Sequence, residues 1–100
     1  MALDIHVLEN GRPTGLLYRI EHEQYMRMQL AINLFKKRTG IYIDEYGDTK
    51  FSSGLRALTQ TLKECVANEK NSLTVRELTS LLAVLEEAER NDDSVMFIGD

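Results

Sequence analysis

The feature that most constrains this chain is a change of hydrophobic period near residue 22. Before it, apolar residues alternate; after it, they return every three or four positions. LDIHVLE (3–9) places Leu3, Ile5 and Val7 on one face and Asp4 and His6 on the other, the pattern of a strand with one buried side. NGRPTG (10–15) supplies Asn, two glycines and the only proline, a loop signal. LLYRIE (16–21) alternates again, with Leu16, Tyr18 and Ile20 on one face and Leu17, Arg19 and Glu21 on the other. Two such runs around a short glycine-containing loop predict an antiparallel hairpin.

Beyond the switch, residues 22–38 read as one helix. Tyr25, Met28, Ile32 and Phe35 recur at steps of three and four, with Ala31 beside them. Glu21 and Glu23 sit at its start and Lys36, Lys37 and Arg38 at its end, matching the helix dipole, and Gly40 stands where a left-handed cap is wanted. IYI (41–43) is a brief strand or an extended connector, and 44–53 is turn-like. Ser52 or Ser53 can cap a second helix near 53–68, with Leu55, Leu58, Leu62, Cys65 and Val66 inward. Thr74 and Glu77 have the spacing of a capping box and open a third helix over 75–90, with Leu78, Leu81, Leu82, Leu85 and Ala88 inward. VMFIG (95–99) reads as a closing strand that joins the hairpin.

A hairpin alone is marginal and each helix has an apolar stripe to bury. The expected fold is therefore a single α+β domain over residues 1–100, of order β-β-α-(β)-α-α-β. Three helices cover one face of a small antiparallel sheet. Length supports one core, since 100 residues with 43% hydrophobic content need no staple. The single cysteine allows no intrachain disulfide and no thiolate metal cluster. MALDIHVLENG lacks the layout of a signal peptide, and no apolar run approaches the roughly 20 residues of a membrane span. The expectation is a cytoplasmic protein with no membrane partner and no cofactor.

Charge is unevenly placed. Residues 1–43 carry six Lys/Arg against four Asp/Glu, whereas 44–100 carry six against twelve. The acidic balance disfavours nucleic acid and favours a basic protein partner.

The candidate chemistry centres on IYIDEYGDT (41–49), where Asp44, Glu45 and Asp48 crowd around Gly47 and Tyr46. A calcium loop counted from Asp44 would need an oxygen ligand at Tyr46, glycine at Thr49 and glutamate at Leu55, and fails at each. A turn accounts for the cluster: Asp side chains accept backbone N–H groups and Gly47 supplies a positive φ. Cys65 falls on an apolar stripe without a readable histidine base, and His6 and His22 lack a third ligand. The expectation is no catalytic residue and no metal site.

Two features resist a local explanation. Glu86, Glu87 and Glu89, followed by Asp92 and Asp93, crowd a helix C-terminus, where negative charge opposes the dipole. The first helix also carries a second apolar arc, Met26, Leu30 and Leu34, apart from its core stripe. Burial of that arc within the chain is expected; the alternative is an oligomer face, leaving the protein either a monomer or a homodimer.

In general character, being small, acidic, α+β and free of catalytic signatures, the chain resembles bacterial immunity proteins, which neutralise a toxin domain by covering it, and other small inhibitors. The resemblance carries over no residue. It implies a non-catalytic protein that occludes a basic partner, with Asp44, Glu45, Tyr46, Asp48 and the acids at 86–93 as docking candidates. A homo-oligomeric structural or regulatory module assembled through the first helix is the alternative.

Overall fold

The computed structural model of the protein describes residues 2–99. The period-2 runs form β1 (Ala2–Glu9) and β2 (Arg12–Glu21), joined at Asn10 and Gly11, both in the left-handed region. The remaining elements are α1 (His22–Arg27), α2 (Gln29–Thr39), β3 (Asp48–Phe51), α3 (Leu55–Asn68), α4 (Ser72–Arg90) and β4 (Ser94–Gly99). The four strands make one antiparallel sheet of order β2-β1-β4-β3. The closing strand thus pairs with the hairpin as expected, but it lies inside the sheet rather than at its edge.

Leu3, Ile5, Ile20, Val95, Phe97 and Phe51 point from the sheet into one core with Phe35, Leu62, Leu81 and Leu85 from the helices. Phe51 stands at its centre, its ring 5.9 Å from Phe35 and 5.3 Å edge-on from Phe97. The other sheet face carries the Asp4–Arg19 ion pair, His6, Leu16 and Met96.

Several expectations are corrected. The β1–β2 register shifts after Ile5, pairing Ile5 with Tyr18 but His6 with Leu16. This bulge turns Leu17 inward to line a gap beside Val84 and Ala88 of α4, and leaves Leu16 53% exposed. The first helix breaks at Met28, whose ψ of 18° departs from helical geometry. Residues 41–43 form no strand. Instead Ile43 alone is buried, and the strand falls on 48–51 within the expected turn. The capping box gives way to Asn71, whose Oδ1 accepts from the Thr74 N–H at 3.0 Å, and α4 begins at Ser72. Glu77 is drawn instead to Arg27 of α1. Gly54, not a serine, precedes α3, with φ of 81°. The expected Gly40 cap is present, with φ of 79°.

Candidate functional site

Loop 41–47 is built as an anchored turn. The Asp44 carboxylate accepts from the Tyr46 N–H at 3.0 Å, the side-chain-to-backbone bond expected of an Asp at this position. Gly47 is not in the left-handed region. The glycine that matters here is Gly99: a Cβ on it would lie 2.4 Å from the Glu45 carbonyl oxygen and 2.6 Å from the Gly47 nitrogen. The Gly99 N–H donates to the Gly47 carbonyl at 3.0 Å, which ties the loop to the end of β4.

Glu45 is 4% exposed and pairs with His22 Nδ1 at 2.7 Å. It fastens the loop to the start of α1 and is withdrawn from any partner's reach. The Tyr25 hydroxyl donates to the Ile43 carbonyl at 2.7 Å and lies 3.3 Å from the Tyr42 hydroxyl. Burial, aided by Tyr42, pushes the Tyr25 phenol above its ordinary value. What the loop presents outward is Asp44, Tyr46 and Asp48, with Ile41 and Tyr42 beside them.

The second acidic cluster lies at the other end of β4. α3 and α4 run antiparallel, so the end of α4 sits beside the start of α3. Glu89, Asp92 and Asp93 line a cleft of about 150 Å³ with Ser52, Ser53, Gly54 and Arg56. The α3 N-terminus has no side-chain cap of its own. Carboxylates there meet a positive dipole end, which offsets their conflict with α4. Glu89 accepts from the Thr59 hydroxyl at 2.9 Å, and Glu86 pairs with Lys63 of α3 at 3.0 Å. Two of the acids that the sequence leaves unexplained on α4, Glu86 and Glu89, are thus matched by α3. Glu87 and Asp92 remain exposed.

The third region is the outer face of α1 and α2. Leu30 is 78% exposed and Met26 55%, which overturns the expectation that this arc is buried within the chain. Leu34 is half-buried. The helical phase carries across the break at Met28. The Met28 N–H donates to the Gln24 carbonyl at 3.1 Å, and the Ile32 N–H donates to the Met28 carbonyl at 3.0 Å. Met26, Leu30 and Leu34 therefore share one face, with Glu23 and Lys37 exposed near its ends.

Between α2 and α3 this face borders a groove of about 380 Å³ walled by Leu30, Leu34, Arg38, Glu64, Cys65, Asn68 and Glu69. Arg38 and Glu64 form a tight ion pair across it. The Arg38 guanidinium holds the Glu64 carboxyl below its ordinary range. Cys65, expected in the core, is half-buried on this groove. Burial raises its thiol above the ordinary value, against a smaller opposing pull from Arg38.

The histidines lie elsewhere. His22 is bound to Glu45, and His6 sits on the open sheet face, its Nδ1 buried without a hydrogen-bond partner. Among the described residues no three His, Cys, Asp or Glu side chains gather as a metal set. No helix among them is long and apolar enough to cross a membrane.

The fold thus places the two acidic candidates at opposite ends of β4 and leaves Met26 and Leu30 uncovered on α1–α2. No family model matches the chain, and neither a curated protein nor a solved structure matches it.

Proposed function

We propose that the chain is a non-catalytic protein-binding protein that docks through the α1–α2 face. The observation that carries this reading is the exposure of Leu30, with Met26 beside it on one ridge. Full burial of a side chain of this kind is worth about 1.5–3 kcal/mol. A ridge of two such residues next to an apolar groove is what a partner surface would cover. The dispersal of the reactive groups supports leaving catalysis aside: the thiol lies on the groove, one imidazole is bound to Glu45, and the other lies on the open sheet face. A single free thiol suits a reducing, cytoplasmic setting.

A second reading has one observation in its favour. Tyr42 and Tyr46 are exposed next to Asp44 and Asp48. Exposed tyrosines flanked by carboxylates suit a basic protein surface, as an inhibitor or immunity-type protein acting by occlusion would require.

Photo-crosslinking in the cell of origin separates the two. A crosslinking residue is placed at 30, at 46, or at the exposed control position 60. Adducts from 30 and not from 60 are expected. Adducts from 46 alone would move docking to the acidic loop, and none from either would remove the protein-binding reading.

A further inference from the structure

We infer that the partner of the α1–α2 face is a second copy of this chain, lying antiparallel across a two-fold axis at Leu30. This rests on the reading that this face is the docking surface. A two-fold contact is self-complementary: in an antiparallel helix pair, positions equidistant from the axis on either side face each other. Met26 and Leu34 both stand four residues from Leu30, and Glu23 and Lys37 both stand seven away. Four and seven residues are close to whole turns at about 100° per residue, so all five share the exposed ridge. Centring the axis on Leu30 sets Met26 against Leu34 of the second copy, and Glu23 against Lys37 of the second copy, twice over.

The charges choose the direction. A parallel pair would stack Glu23 on Glu23 and Lys37 on Lys37. The antiparallel pair matches opposite signs and opposes the helix dipoles. Neither charge takes part in the described ion pairs; Glu23 acts on Arg27 only through its field, since Arg27 is held by Glu77 and Arg38 by Glu64. Lys36 is also engaged, its ammonium 5.2 Å above the Tyr42 ring. The groove fits the same arrangement. Leu34 forms part of its wall, so Met26 of the second copy arrives at its mouth and covers Cys65. A flexible thioether suits an irregular gap. A single helix seam belongs to the small class of interfaces, so a weak, reversible association is expected.

The test uses sedimentation equilibrium on the full chain from micromolar to millimolar concentration. Wild type is expected to pass from monomer to dimer, and the labelling rate of Cys65 to fall as it does so. Glu23→Lys and Lys37→Glu each place two like-charge contacts at the seam, and each is expected to raise the dissociation constant about tenfold. Mixed in equal amounts, the two variants should form a heterodimer at wild-type strength, because both contacts then join opposite charges. The double variant should also recover. Both changes are at exposed positions, so loss of folding does not confound them; circular dichroism checks this.

A wild type that stays monomeric at millimolar concentration overturns the inference. So do charge variants that pair as well as wild type, or that fail to rescue each other. Crosslinks from position 30 to a different protein would then leave the docking face standing with another partner. Their absence would remove the docking face as well.

Discussion

The end of α4 and the outer face of α1–α2 break rules of local sequence in comparable ways, and the fold treats them differently. On α4, Glu86, Glu89 and Asp93 oppose their own helix dipole. Lys63 and Thr59 of the neighbouring α3 meet Glu86 and Glu89, and Asp93 faces the α3 N-terminus across a cleft, so much of the conflict is offset inside the chain. On α1–α2, Met26 and Leu30 stand in water and no other part of the described chain covers them. The difference follows from the interactions. A misplaced charge can be matched by one well-placed group within a few ångströms, so a neighbouring helix end suffices. Misplaced apolar area is offset only by comparable area, which a small domain whose core already draws on both sheet and helices does not have to spare.

The largest effect is expected on α2 itself, where a buried and an exposed apolar residue lie about one turn and a half apart. Phe35→Ala should cost about 3–5 kcal/mol, because Phe35 is fully enclosed against Phe51. Leu30→Ala should change the stability of the dilute monomer by no more than about 0.5 kcal/mol. Urea denaturation at low micromolar concentration reads both, and a large loss at Leu30 would place that residue inside the core after all.

Next in size is the acidic loop. His22→Ala leaves Glu45 buried without its partner, for an expected loss of about 1–2 kcal/mol by the same measurement. No loss would mean that Glu45 is solvated and reachable by a partner.

A smaller effect is expected on α4, where the contrast between internally matched and unmatched acids can be drawn within one turn. Glu89→Lys removes one of the two acceptors of the Thr59 hydroxyl, leaving the Arg56 carbonyl, and puts a cation beside the α3 N-terminus, costing about 0.5–1.5 kcal/mol. Glu87→Lys, at an exposed position, should be neutral or slightly stabilising. Equal effects at 87 and 89 would undo the claim that α3 matches the charge.

The smallest effect concerns how α1 is held to α4. Arg27 depresses the Glu77 carboxyl below its ordinary value. A depressed carboxyl contributes stability above its unfolded value, near 4.3, and loses that contribution as pH falls through its folded value. Thermal melts of wild type and Arg27→Gln should differ at pH 7 and converge towards pH 2. A difference that persists undiminished in acid would assign the effect to packing rather than charge.

Much of the fold is legible in the sequence because it rests on repeated local signals. β1, the core stripes of the helices, the Gly40 cap and the pairing of the last strand with the hairpin follow from periodicity and dipole matching. The misses have particular causes. β3 sends only Thr49 and Phe51 inward, too few for a period to register, and the turn residues around it dominate the pattern. The bulge that exchanges Leu16 for Leu17 depends on pairing with β1, which alternation along β2 alone cannot reveal. The Thr74–Glu77 spacing points away from the actual cap, Asn71, because Glu77 is claimed by an arginine 50 residues away in sequence. The face carrying Met26, Leu30 and Leu34 was readable as a second apolar arc. Whether anything covers it depends on how α1 and α2 sit against α3 and α4, which is a tertiary fact.

The interior place of β4 also has a consequence for synthesis. Of the eight elements it leaves the ribosome last, yet β1 and β3 meet only through it. Until it arrives, β1 has one unpaired edge, β3 has no strand to join, and Phe35 and Phe51 lack the third ring of their cluster. Pairing Leu3 with Gly99 also closes a loop that contains all the other elements, a slow step for the entropy of a flexible polymer. The nascent chain therefore carries an apolar sheet face and an open strand edge until β4 has been made. That is the interval in which a chaperone has most to hold, and in which crowded copies are most exposed to mispairing.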